Sequence, residues 1–427
     1  MEQKLFKNVF NATVIVAALG YFVDVYDLVL FLVIGKDSIK AIFPEGLTDA
    51  LVLQKFQYLL NVQMIGMLVG GIFWGVLGDK KGRLSVLFGS IFVYSIANIA
   101  NAFVTDMNWY VACRFIAGVG LAGELGAGIT LVSESMDKKY RGYGTMVVAS
   151  IGVTGAVVAG LVGNIGWKTS YLVGGGLGLS LLLLRIGVFE SGIFQRAHQK
   201  SVSKGNFFYL FSNKRLFLKY LHCILIGLPI WFVIGVLVGR APEIAKTLGV
   251  TDPIVQGTCV ILCYTGLIFG DLASGGMSQW LKSRKKVFVI FYVLCAASIL
   301  VYLNLNLIVG YFSDSLVPVS AAIFYSAVTL LGFSVGFWAM FVTVASEQFG
   351  TNMRATVATT VPNFIRGSLV LIAFVFDYIF VRSNMFWASY IVSALLILIS
   401  FYSLSRLEET FGKDLDYIEE SEERSEI

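Results

Sequence analysis

Apolar runs long enough to span a bilayer recur twelve times along this chain, and no soluble fold accommodates that pattern. A helix crossing the hydrocarbon core needs about 20 consecutive apolar residues, and in lipid every backbone polar group must be paired inside its own segment. The runs lie at about 9–34, 56–77, 84–104, 108–133, 141–163 and 168–189, then at about 216–239, 255–278, 287–307, 316–346, 355–381 and 385–404. The spacing predicts an all-α membrane protein of twelve transmembrane helices in two six-helix bundles. Composition agrees: the chain is 57% hydrophobic and only 14% charged, against about 25% charged in ordinary soluble domains. The first run has full span length, so it reads as a helix and not as a cleaved leader.

The polar intervals set the domain plan. Residues 1–190 form an N-terminal bundle, 191–215 a linker, 216–404 a C-terminal bundle and 405–427 an acidic tail. The tail reads as a short helix passing into disorder. Loop charge sets the orientation. The loops on the side of the termini carry Lys80, Lys81, Arg83, Lys138, Lys139, Arg141, Arg196, Lys200, Lys204, Lys214, Arg215, Lys219, Lys282, Arg284, Lys285, Lys286 and Arg354. The other side carries Lys36, Lys40, Lys55, Lys168, Arg240, Lys246 and Arg382. The excess predicts that both termini are cytoplasmic. It also accounts for the net charge of +5 without nucleic acid; the expected partners are the lipid bilayer and a small-molecule solute. The longest outer loop is expected at 35–55. Compact loops and no further domain point to a bacterial inner membrane and a monomer. The five cysteines all lie in apolar runs and read as small hydrophobic residues.

The two halves echo each other. Ser133, Glu134 and Arg141 align with Ser346, Glu347 and Arg354 at one offset, each set ending one span and beginning the next. Gly75–Arg83 is echoed more faintly by Gly276–Arg284, without the aspartate. Position 337, at the offset of Glu124, is a phenylalanine. Two parallel six-span halves are a plan of secondary transporters, with the solute site near the midplane between them.

The sequence GVLGDKKGR at 75–83 resembles the G-x-x-x-D-x-x-G-R signature of the major facilitator superfamily, between spans two and three. Arg114 with Gly118 and Gly120 is similar to the span-four pattern of the same superfamily. Asp24 and Asp27 in span one, with Glu124 and Glu134, resemble its proton-coupled metabolite and organic-acid symporter branches. The resemblance implies alternating access by two rocking bundles, with Asp79, Gly82 and Arg83 as gating elements. Glu134 with Arg141, and Glu347 with Arg354, are further gating candidates, each expected to bridge a tight inner loop. The turn at 75–83 is expected to need unusual dihedrals at Gly78 and Gly82.

Charges inside spans are costly, which makes them functional candidates. Asp24 and Asp27 share one face of span one. Glu124 lies ten residues before Glu134, roughly 15 Å into the membrane at 1.5 Å per residue. These three and Asp271 are the proton-coupling candidates, the alternative for each being a structural partnership such as an ion pair with an arginine. Arg366 follows Pro362 and Asn363, where a kink is expected, and can take a carboxylate bidentately. The substrate-binding candidates are Arg366, Arg114, Gln63, Trp231, Trp338 and Asn363. Catalysis is not expected: the sequence holds no Walker A loop, H-E-x-x-H or G-x-S-x-G, and no His/Cys set that closes a metal site. No cofactor is expected beyond protons as coupling ion. The expected function is proton-coupled symport of a small organic acid or amino acid; the alternative is a proton-driven exporter or a uniporter.

Overall fold

A computed structural model describes residues 12–43, 46–136, 141–190, 207–312, 319–350, 352–413 and 419. Twelve helices in it are long and apolar enough to cross a membrane. The first six are α1 (Ala12–Ile42), α2 (Gln54–Lys81), α3 (Arg83–Asn101), α4 (Met107–Val132), α5 (Tyr143–Gly163) and α6 (Trp167–Ile186). The second six are α7 (Lys214–Val238), α8 (Gln256–Leu281), α9 (Arg284–Leu303), α10 (Ala321–Glu347), α11 (Arg354–Arg382) and α12 (Met385–Arg406).

The halves pack by one rule. In the first, α2 lies on α4, α3 on α4 and α6, and α1 on α6; in the second, α8 lies on α10, α9 on α10 and α12, and α7 on α12. Each pair maps onto its counterpart six helices later. The bundles meet through α2 with α11 and α5 with α8, two contacts that the same relation exchanges. Glycines set the close approaches: Gly66, Gly70 and Gly118 press α2 and α4 together backbone to backbone, and Gly266, Gly270, Gly332 and Gly336 do so for α8 and α10. The outer surface is apolar; Leu183, Leu371 and Phe374 are each about 70% exposed, as lipid-facing side chains are.

Several helices break, and the breaks matter for function. Helix α4 is interrupted at 122–123, between Met107–Leu121 and Glu124–Ser135. Helix α10 is interrupted at 335–337, the same place in the repeat. Helix α7 breaks at 226–227, just before Pro229, whose missing N–H leaves the carbonyl of Leu225 to accept from Ser400 Oγ at 2.9 Å, and the amide of Ile230 turns to Gly227. The freed carbonyl of Ile226 accepts from the Tyr292 hydroxyl at 2.6 Å.

Two expectations need correction. The outer loop expected at 35–55 is mostly helix. Helix α1 continues to Ile42 and the next helix begins at Asp49, capped by Thr48. Hydropathy falls at Lys36 and Asp37, but nothing there ends a helix; polar residues simply carry it beyond the hydrocarbon. Pro362, where a kink is expected, lies inside the helical segment Arg354–Gly367, and the helix is interrupted further on, at Ser368. The start of the tail is not helical: residues 407–413 fold back onto the second bundle. Glu409 accepts from Ser283 Oγ at 2.5 Å and from the amides of Arg284 and Lys285 at 2.9 and 3.2 Å, capping α9. Glu419 accepts from Lys219 at 2.8 Å. Residues 191–206 of the linker, and 414–418 and 420–427 of the tail, lie outside the described residues.

Candidate functional site

The bundles enclose a narrow cavity lined by Tyr21, Val25, Leu28, Val153, Ile230, Trp231, Ile234, Tyr264, Leu267, Trp338 and Arg366. Its free volume is about 20 Å³, room for about one water, so this conformation is closed around the site. The lining is apolar and aromatic apart from one guanidinium. Arg366 lies 3.7 Å from Asp24 across the two halves, and it sits over the rings of Trp231 and Trp338 at 5.9 and 5.3 Å. The two indoles meet edge to face. Pairing and cation–π contact offset the cost of burying this charge. Of the six substrate-binding candidates, Arg366, Trp231 and Trp338 therefore converge on one cavity. Asp24 faces it through Arg366.

Other candidates lie elsewhere. Arg114 donates to Gln63 and stands 4.0 Å from Asp27, and its guanidinium covers the ring of Phe31 at 4.5 Å. This cluster belongs wholly to the first bundle, and Gln63 and Arg114 do not line the cavity. Asn363 stands behind Arg366: its Oδ1 accepts from the guanidinium at 3.5 Å, while its Nδ2 donates to the carbonyl of Ala122 at 3.0 Å. Asp271 accepts from the amide of Ala339 at 3.1 Å and so caps the second segment of α10.

Glu124 is held by a partner that the sequence reading missed. Arg185 of α6 donates to both carboxylate oxygens of Glu124, at 2.7 and 3.1 Å, and Ser90 donates to one of them at 2.7 Å. The carboxylate is thus a buried, charge-assisted ion pair in this conformation. The signal was present: Arg185 interrupts the run Leu181–Leu184 inside a span, and the rule that singled out Arg114 applies to it equally.

The face that carries the loops 78–83, 281–284 and 347–354, here called the basic face, is closed. Asp79 accepts from the amides of Ala355 and Thr356 at 3.1 and 2.8 Å and from Thr356 Oγ1 at 2.6 Å. A first-half carboxylate thus caps the N-terminus of second-half helix α11, where the helix dipole favours it. Arg83 lies 3.2 Å from the same carboxylate and donates to the carbonyl of Gly78 at 2.6 Å. Gly82 joins α2 to α3 at φ 92°, a conformation that only glycine adopts cheaply. Gly78 is helical and has no such requirement. It is small because Ala355 of the other half packs on it, and a Cβ there would come within 3.3 Å of the alanine's. Glu347 pairs with Arg284 at 3.2 Å, a partner from the preceding inner loop and not the one expected across its own. Arg354 is buried at the start of α11. The side chains of Glu134 and Arg141 lie outside the described residues. Among the described residues no three His, Cys, Asp or Glu side chains gather as metal ligands.

The Major Facilitator Superfamily profile matches residues 17–374. The chain belongs to that superfamily. It is a membrane transporter, not an enzyme. It is 33% identical to the niacin transporter NiaP of Acinetobacter baylyi over 165 residues, 38% of this chain and 36% of that protein. The match to the putative niacin/nicotinamide transporter NiaP of Bacillus subtilis is longer, 25% identity over 82% of this chain and 84% of the other. The 3-(3-hydroxy-phenyl)propionate transporter of Escherichia coli is 31% identical over 36% of this chain and 40% of its own. Among solved structures, the proton:xylose symporter XylE superposes with a TM-score of 0.73 at 15% identity, covering 96% of this chain and 98% of that one. That likeness is one of fold.

Proposed function

We propose that this transporter is a proton-coupled symporter of a small organic acid, with a single-ring aromatic monocarboxylate as the best fit. The observation that carries the reading is Arg366, the one charged group in the cavity lining, held between two indoles and paired across the halves with Asp24. A guanidinium takes a carboxylate bidentately, and the indoles and aliphatic side chains suit a flat apolar ring. The names of the relatives, niacin and hydroxyphenylpropionate transporters, support the same class. Charge balance supports proton coupling. Arg366 and Asp24 are neutral as a pair; one incoming carboxylate keeps the site neutral if it takes the guanidinium while Asp24 takes one proton. Glu124, tied to Arg185, does not fill that role here. We assign the basic face to the cytoplasm on loop charge, which protease access to the tail in oriented vesicles checks.

The test is uptake of nicotinate and benzoate into proteoliposomes. An acidic exterior should accelerate uptake, and a protonophore should abolish the acceleration. Arg366→Ala should lower kcat/KM for both acids by about 100-fold or more, from the loss of a charge-assisted pair. The neutral analogue nicotinamide should be a poor solute. Equal uptake of nicotinate and nicotinamide would sink the carboxylate reading. Uptake indifferent to the protonophore would leave a uniporter.

A further inference from the structure

One face of α11 carries a row of contacts that runs from the closed basic face to the cavity. Thr356 donates to Asp79. Thr359 packs against Gly126, where a Cβ would overlap it. Asn363 reaches Ala122, and Arg366 faces Asp24. Positions 356, 359, 363 and 366 share one side of a helix, over roughly 15 Å of its length. All four partners belong to the first bundle.

Asn363 is the member of this row that contacts both ends of the problem. Its oxygen accepts from Arg366 at 3.5 Å; its nitrogen donates to the carbonyls of Ala122 at 3.0 Å and Thr359 at 2.7 Å. The Ala122 carbonyl lies at the break in α4, which frees it for a partner outside its own helix. An amide has one donor end and one acceptor end, and here both are used: two carbonyls take the nitrogen and Arg366 faces the oxygen. The side chain is 2% exposed. It is plugged between α4 and Gly71 of α2, where a Cβ at position 71 would stand 3.1 Å from the amide nitrogen. The cavity wall stops at Arg366; Asn363 lies behind it.

We propose that Asn363 is a positioning residue that transmits occupancy of Arg366 to the contact between α11 and α4. A solute carboxylate that draws the guanidinium toward itself removes the acceptor's partner. The buried amide oxygen is then left without a donor, a cost that favours repositioning of the side chain and weakens its tie to Ala122, so that α11 parts from α4. Ala355 and Thr356, the partners of Asp79 in the latch, lie on the same short helical segment and are withdrawn with it. This inference rests on the carboxylate reading above.

The experiment uses the full chain in nanodiscs and proteoliposomes, with benzoate as probe. Asn363→Ala should bind benzoate within about threefold of the wild-type Kd yet lose about tenfold or more in uptake turnover, since it leaves Arg366 in place but uncouples it. Benzoate should alter amide hydrogen exchange across residues 354–363 in the wild type and not in the variant. Asn363→Asp keeps an acceptor for Arg366 but has no donor for Ala122, so it should be equally slow. Gly71→Ala, which crowds the amide from α2, provides the same test should the alanine variant fail to fold. Wild-type turnover in Asn363→Asp would overturn the inference. So would a loss of affinity that matches the loss of turnover, which marks a direct solute contact. A wild type that binds neither benzoate nor nicotinate removes the carboxylate reading and this inference together, a result distinct from either of those.

Discussion

The breaks in α4 and α10 occupy the same place in the two halves and are filled with opposite chemistry. At the first, Glu124 meets Arg185 and Ser90, and Asn363 reaches in from the other bundle. At the second, Phe337 packs among Phe288, Phe291 and Tyr292, and Asp271 caps Ala339. The interruption, the flanking glycines and the closing Glu and Arg positions are common to both. What differs is whether the gap is closed by charge or by rings. A shared backbone break lets both halves bend at matching points, which alternating access between similar bundles requires.

The largest expected effect tests the charged filling. Arg185→Met leaves Glu124 buried without its cation and should cost about 3–5 kcal/mol, because an unpaired buried charge keeps its full desolvation penalty. Thermal unfolding in detergent measures it, and pairing the change with Glu124→Leu should recover most of the loss. Phe337→Leu at the matching site should cost under about 1.5 kcal/mol, as apolar replacements of similar shape do. Equal losses at both sites would erase the distinction.

A middle-sized effect concerns the contact between the halves. Asp79→Asn weakens charge-assisted bonds to the start of α11 and removes the pair with Arg83. It should shift the equilibrium toward an open basic face by about 1.5–3 kcal/mol, read as faster amide exchange at Ala355 and Thr356. Exchange at wild-type rates would show that closure depends on the helix contacts alone.

The smallest effect concerns the tail, which only the second half possesses. Burial raises the Glu409 carboxyl, but hydrogen bonds from Ser283 and the amides of Phe411, Arg284 and Lys285 outweigh it and leave its pKa below the usual glutamate value. A depressed carboxylate contributes stability above its unfolded pKa and loses it as pH falls through the folded one. Protection of the Arg284 and Lys285 amides should therefore hold from pH 7 to about 5 and fade below about 4. Glu409→Gln should cost about 1 kcal/mol at neutral pH, the value of a helix cap. Protection that weakens already between pH 7 and 5 would assign the titration to another group.

Hydropathy and spacing alone made the scaffold legible. Twelve spans, two halves, the Glu–Arg repeat and the signature at 75–83 are local patterns. Lipid permits few folds for them, because each span must pair its own backbone groups. The cost of buried charge likewise marked Asp24, Asp27, Glu124, Arg114 and Arg366 before any contact was known. Which charge met which was decided by packing. Several acids and arginines lie at similar depths, and any pairing would lower the burial cost. Only the packing of α6 and α4 on the same helix, α3, gives Glu124 to Arg185, and only the contact of the two bundles gives Asp24 to Arg366. Asn363 shows the same division. Its sequence marked it as polar beside a proline, but its place between a cavity arginine and a freed carbonyl exists only where α11 crosses the break in α4.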